Sequence, residues 1–182
     1  MEISAIHQVS TESGQDMQVS VTRTKTQNNK SNTDLQFVEF TLGSECFAIN
    51  LFNTKEVITP TSITPLPNSV AYIKGVMDLR GTITTIIDLK LLLNISETRD
   101  SKKRSRIIIL DNDPSEKSVG ILVDDVYSVS THHASDIERE TDDKTHSTRF
   151  ILGVIRISRS EKHNLVLWLD IQKIRASITS EL

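Results

Sequence analysis

Two passages of the chain follow one plan. GVMDLRGTITTIIDLKLLL, beginning at Gly75, and GVIRISRSEKHNLVLWLDIQKI, beginning at Gly153, each run Gly-Val, apolar strand, turn, apolar strand, then an apolar-Asp-apolar step into a helical end. The second turn is four residues longer than the first, so Asp88 corresponds to Asp170. Two copies this far apart are not a solenoid repeat. They fit two related small β units, and many short strands with scattered turns and little helix favour barrels over a parallel βαβ sheet. Only 4% of residues are aromatic, which leaves an interior of Ile, Val and Leu, residues that favour strands.

The segments around the repeat read the same way. In QFVEFTL, alternation places Val38, Phe40 and Leu42 on one face and Glu39 and Thr41 on the other, the mark of a half-buried strand. Gly43-Ser44 turns the chain into ECFAINL, which completes a hairpin with Cys46 on the face away from Phe47 and Ile49. The spacing of Leu51, Thr54 and Ile58 in LFNTKEVI predicts one or two helical turns before Pro60. ITPLPNSVAYIKG reads as an extended crossing and a short helical turn closed at Gly75. Arg80-Gly81 marks a second hairpin; RIIIL with VGILVDDVYSV, and FILGVIRI with NLVLWL, are further strand pairs. LDIQKIRASI carries the helical stripe Ile171, Ile174 and Ile178, and Asp88 and Asp170 stand where a carboxylate caps a helix N-terminus. Residues 1–34, rich in Ser, Thr, Gln and Asn, read as a flexible tail, and SETRDSKKRSR as the best internal boundary.

Charge and motif content exclude several classes. Lys+Arg 21 against Asp+Glu 24 gives a net charge of −3, with no overall field to hold nucleic acid or anionic lipid. No apolar run approaches the ~20 residues that cross a bilayer, and MEISAIHQVS has no signal-peptide pattern, so a cytoplasmic chain without membrane insertion is expected. The single Cys46 permits no internal disulfide. Phosphate-loop, dinucleotide, nucleophile-elbow and zincin motifs are all missing, so neither catalytic residues nor a cofactor are expected. Asp124 and Asp125 are adjacent on a strand and point to opposite faces, which suits a strand end better than acid–base chemistry. His132-His133, with Asp136 and His146, is the one cluster of metal-ligand types, but it lies in a stretch that reads as a loop, and no metal is expected there. The basic connector 102–106, KKRSR, supports an alternative reading as a β-barrel nucleic-acid binder. Arg80, a planar cationic fork at a hairpin tip, and Glu56 are the candidate contact residues.

QFVEFTLGSECFAINL, KEVI, YIKGVMDLRGTITTIIDLK, VGILVDDVYSV, FILGVI and VLWLDIQKI together resemble the CheW family of chemotaxis coupling proteins, in unbroken order over residues 35–178. The resemblance implies an all-β fold of two SH3-like five-stranded barrels around a shared core, with regions 35–95 and 106–178 and strand exchange compatible between them. It implies a non-catalytic adaptor, a monomer that joins receptor–kinase arrays, coupling the signalling tip of chemoreceptors to the regulatory domain of a CheA-type histidine kinase. Carried over by motif, the kinase-binding positions are Gly75 and Arg80, and the receptor groove takes Leu51, Glu56, Val57, Gly120, Val126 and Gly153. Thr54 departs from the aliphatic residue usual at that surface, and His132-His133 from the apolar or small residues usual there.

Overall fold

The computed structural model describes residues 19–20, 34–96, 105–111, 116–139, 149–157 and 165–179. In chain order the elements are β1 (Val19–Ser20), β2 (Asp34–Leu42), β3 (Glu45–Asn50), a 3-10 turn at Leu51–Asn53, β4 (Thr54–Ile58), β5 (Ile73–Leu79), β6 (Thr82–Asp88), α1 (Leu89–Leu93), β7 (Arg106–Leu110), β8 (Ser118–Val123), β9 (Asp125–His133), a 3-10 turn at Ala134–Asp136, β10 (Ile137–Arg139), β11 (Ile151–Arg156), β12 (Leu165–Leu169) and α2 (Ile171–Thr179). The mainly-β reading holds. The expected tail lies outside the described residues apart from β1 and Asp34, as do most of the connector 97–104 and residues 112–115 of the turn after β7.

The strands form two sheets, in the orders β1-β4-β7-β8-β6-β5 and β10-β11-β12-β3-β2-β9. Set aside the short β1 and β10, and the sheets are copies of one another: β4, β7, β8, β6, β5 answer to β9, β2, β3, β12, β11. In each, one pair is parallel, β6 with β8 and β12 with β3, and the other pairs are antiparallel. The repeat seen in the sequence is reproduced in detail. A bulge falls between Ile73 and Gly75 in one copy and between Ile151 and Gly153 in the other. Asp88 N–H donates to Tyr72 O and Asp170 N–H to Phe150 O. Each aspartate then caps its helix, Asp88 accepting from Leu91 N at 3.3 Å and Asp170 from Lys173 N at 3.1 Å.

The two sheets do not follow the order of the chain. The hairpin β2–β3 belongs with β9–β12, and β7–β8 belongs with β4–β6, so each half of the sequence completes the sheet of the other. This exchange explains why β7 is apolar from Ile107 to Leu110: Ile107 and Ile109 face the interior of their own sheet with Ile58, Met77 and Ile86, while Ile108 and Leu110 enter a core shared by both sheets. Likewise Val38 and Phe40 face the shared core and Phe37 faces Cys46, Ala48, Ile155, Val166 and Trp168. β2 is therefore buried on both faces, where alternation had suggested one, and Glu39 is buried with it. Ile171, Ile174 and Ile178 of α2 close over the shared core as the helical stripe predicted. Each such buried aliphatic side chain contributes roughly 1.5–3 kcal/mol.

Two local readings need correction. TKEVI is strand β4, not helix, because its residues pair with β7 at Glu56↔Ile109, Val57↔Ile108 and Ile58↔Ile107, and long-range pairing of β-branched residues overrides a helical spacing. Gly75 closes no helix; it lies inside β5 at φ 144°, where a Cβ would come within 2.2 Å of Thr64 O. That approach lets Thr64 and Val76 exchange two backbone hydrogen bonds of 2.8 Å. The Arg80-Gly81 turn is as expected, with φ values of 52° and 84° that match the twist of a tight hairpin. The two glycines therefore predict different outcomes on substitution. Gly75→Ala, clashing with backbone, should lose about 3 kcal/mol or more, and Gly81→Ala, with open space around it and only the positive φ against it, about 1–2 kcal/mol, as read by urea unfolding.

Candidate functional site

The two residues singled out from the sequence as contacts meet in the structure. Arg80, at the β5–β6 tip, donates from both terminal nitrogens to Glu56 on β4, at 3.3 and 3.1 Å. Since β4 and β5 lie near opposite ends of the sheet order, this fork closes the curled sheet across its mouth. Glu56 falls on the β4 face that carries Ile58 and is mostly covered, at 16% side-chain exposure, whereas the Arg80 side chain is 67% exposed. The guanidinium is thus held from beneath and open from above. Asp78 accepts the Gly81 N–H at 2.6 Å and fixes the turn that carries it. Beside it on β6, Ile83 pairs across the hairpin with Asp78 and is 64% exposed. Ile83 escaped the sequence reading, although alternation against the buried Thr84 marks it as outward-facing. Phe52, 65% exposed in the 3-10 turn next to Leu51, was also missed.

The remaining predicted positions divide by burial. Gly75 supports the Arg80 hairpin from inside β5 and is itself buried. Leu51 packs partly buried against the shared core, and Val57 and Val126 are buried within it. Gly120 is buried on β8, where a Cβ would crowd Ile107, Ile86 and Ile109 at 2.8–3.1 Å, so it faces a barrel interior. Gly153 admits Glu138 O of β10 to within 2.4 Å of a built Cβ. Leu51 and Glu56 alone of the six groove candidates are more than marginally exposed. Thr54, expected at the surface, is buried, and its Oγ1 finds no hydrogen-bond partner. Thr54→Val should accordingly raise stability by about 1 kcal/mol in thermal unfolding, since it removes an unsatisfied buried hydroxyl at constant shape.

The histidine pair is on an edge strand, β9, not in a loop, and its members face opposite ways. His133 Nδ1 lies 2.6 Å from Asp34, and His132 Nε2 lies 2.8 Å from Glu39 and 2.9 Å from Ser130. Ser128 donates to Glu39 at 2.8 Å, and Ser130 donates to it as well. By register Glu39 opposes Ala48 as Ile109 opposes Gly120, so a carboxylate stands in one barrel where isoleucine stands in the other. Burial alone would raise its pKa. The hydrogen bonds from Ser130, His132 and Ser128, with the charge of His132, more than offset this and hold it below the usual carboxylate value. Burial pushes the nearby Cys46 thiol and Tyr127 phenol up, which leaves both protonated at neutral pH. His146 lies outside the described residues, and among the described residues no group of three His, Cys, Asp or Glu is placed to hold a metal.

Because the folded-state pKa of Glu39 is depressed, its share of the stability is present above the ordinary carboxylate range and is lost as the pH falls through the folded value. Ser130→Ala should therefore lower stability at pH 7 by about 1–3 kcal/mol. The deficit should narrow as the pH is lowered through the depressed folded-state value and Glu39 takes up its proton; urea unfolding across an acid pH series measures it.

Two small barrels with interiors packed by aliphatic side chains, one carrying an exposed arginine fork beside an exposed isoleucine, define a mainly-β, two-barrel module. The CheW-like domain profile matches residues 36–178, and the chain belongs to that family. It is 31% identical over 158 residues to a probable chemotaxis protein CheW of Rhizobium etli, covering 81% of this chain and 92% of that one. It is 30% identical over 148 residues to the chemotaxis protein CheW of Thermotoga maritima, covering 80% and 91%. Among solved structures, the scaffolding protein TtCheW of Thermoanaerobacter tengcongensis superposes with a TM-score of 0.66 at 29% identity, covering 76% of this chain and 90% of that chain. The comparisons lend no support to nucleic-acid binding. Of the basic connector 102–106, Ser105 and Arg106 are described, and Arg106 opens β7. No described helix is long and apolar enough to cross a membrane.

Proposed function

We propose that this protein is a chemotaxis coupling adaptor that acts in the cytoplasm by binding alone, joining the signalling tip of a chemoreceptor to the regulatory domain of a CheA-type histidine kinase. The observation that carries the reading is the Arg80 fork, oriented by Glu56 and presented to solvent at a position matching the family motif. An arginine held in place loses less freedom on docking than a mobile one, and it offers planar donors to a partner's carboxylate or carbonyl groups. Ile83 supplies the apolar contact next to it, the combination of arginine and apolar anchor that concentrates binding energy at interface centres. Gly75 contributes from within, by letting β5 lie against Thr64 so that the hairpin has a fixed direction. The receptor groove lies between the barrels, where Leu51 and Phe52 are the apolar residues within reach of a docked helix. Val57 and Val126 pack into the shared core behind it, whereas Gly120 and Gly153 act on the packing of their own sheets. Each contact is weak alone, and an array of receptors and kinases raises the effective concentration of each for the next.

The pair is exposed on the arginine side, so breaking it should change stability by less than about 1 kcal/mol. Arg80→Ala should thus give a folded protein, with unchanged circular dichroism, that fails to assemble the kinase with receptors in co-sedimentation. The exchanged pair, Glu56→Arg with Arg80→Glu, restores an internal ion pair but offers the partner a carboxylate, and it should remain defective. Recovery of kinase coupling by the exchanged pair would mean that the residues matter only to each other.

A further inference from the structure

The two barrels differ at one edge. β4 and β9 are equivalent strands, each with its inner side taken, β4 by β7 and β9 by β2. The outer side of β9 has no strand against it among the described residues. The outer side of β4 is covered by β1, antiparallel, with Val19 opposite Val57 and Ser20 opposite Glu56. The covering strand comes from outside the repeated unit, and its register partner Glu56 is the same residue that holds Arg80. An uncovered edge strand presents a row of N–H and C=O groups that accept an extended segment of any chain.

We propose that the segment at Val19–Ser20 is an intramolecular cover strand for the β4 edge, and that it must leave before an extended segment of a docking partner can pair there. The identity of that partner, the kinase regulatory domain, rests on the coupling reading above. Two residue pairs make few ladder hydrogen bonds, so the cover opens readily, and because it belongs to the same chain as β4 it is always close enough to return. A cover of this kind reduces apparent affinity by the fraction of molecules in which it is seated. It therefore grades access to the corner where Glu56 and Arg80 meet without abolishing it.

The test compares the full-length protein with the full-length double variant Val19→Pro/Ser20→Pro, which removes both N–H donors of the cover strand and leaves the barrels untouched. Hydrogen–deuterium exchange in the peptide spanning Thr54–Ile58 should be faster in the variant, and its affinity for the isolated kinase regulatory domain should rise about two- to tenfold. Unchanged exchange would overturn the cover strand, and faster exchange with unchanged or weaker kinase affinity would overturn its role in access. Faster exchange with no kinase binding by either protein would support the cover strand and sink the coupling reading instead.

Discussion

The exchange of hairpins between the two halves of the chain is the constraint on which the rest of the structure depends. β2–β3 cannot complete a barrel until β9–β12 exist, and β4–β6 wait for β7–β8. The aliphatic faces left over from both hairpins then have one place to go, the core between the sheets, where Val38, Phe40, Ile108 and Leu110 meet the stripe of α2. Pairings this distant in sequence close large loops before any contact is gained, which makes such a fold slow to form but cooperative once formed. Two of the points where the chain crosses from one sheet to the other, β3 to β4 and β8 to β9, are pinned in matching fashion. At the first, Asn53 O accepts the N–H of Asp111, the residue after β7. At the second, Asp124 N–H donates to Thr41 O, near the end of β2. The Asp124 carboxylate also accepts the Gly43 N–H at 2.7 Å and the Lys90 ammonium at 2.7 Å. Lys90 and Asp124 are both buried, so neither charge can be removed without stranding the other.

Within this symmetry the two barrels are filled differently, and the differences sort structure from function. Ile86 and Trp168 each stand two residues before the capping aspartate, and each faces a small residue across the parallel pair, Gly120 in one barrel and Ala48 in the other. The small residue is set by packing, as the crowding around Gly120 shows. Glu56 and Ser128 are likewise equivalent by register, opposite Ile109 and Glu39. Ser128 turns its hydroxyl to the buried carboxylate of its own barrel, while Glu56 turns to Arg80 at the surface. One barrel spends this position on satisfying an internal charge and the other on presenting a cation outward.

Much of the fold was legible in the sequence because its signals are local. The Asp caps, the Arg80-Gly81 turn and the α2 stripe each depend on a few neighbouring residues, and all were found where expected. What could not be read locally was burial on the second face. Glu39 looked solvent-facing because strict alternation normally means one wet face, and only the exchanged hairpin puts a second core behind it. TKEVI fitted a helix by spacing and a strand by residue type, and β7, some fifty residues on, decided the matter. His132-His133 sounded like a loop because edge strands tolerate polar residues that central strands do not. At the site, Arg80 and Glu56 were each identified, but their meeting was not, since nothing in the sequence says that β4 and β5 curl towards each other.

That meeting also changes what the arginine is for. An ion pair with one partner two-thirds exposed contributes little to holding a fold together, and the barrel beneath it is already closed by Ile58, Met77, Ile86, Ile107 and Ile109. The strained features around it are more than such a pair needs: two successive positive φ values at the tip, an aspartate bonded to the turn, and a glycine that lets β5 press against Thr64. Together they fix the direction of one guanidinium on a side chain that is 67% exposed. Conformational strain of this kind is retained where position matters more than stability. An arginine whose ordering was completed when the chain folded would spare a docking partner that cost, which is the advantage the proposed coupling role draws on.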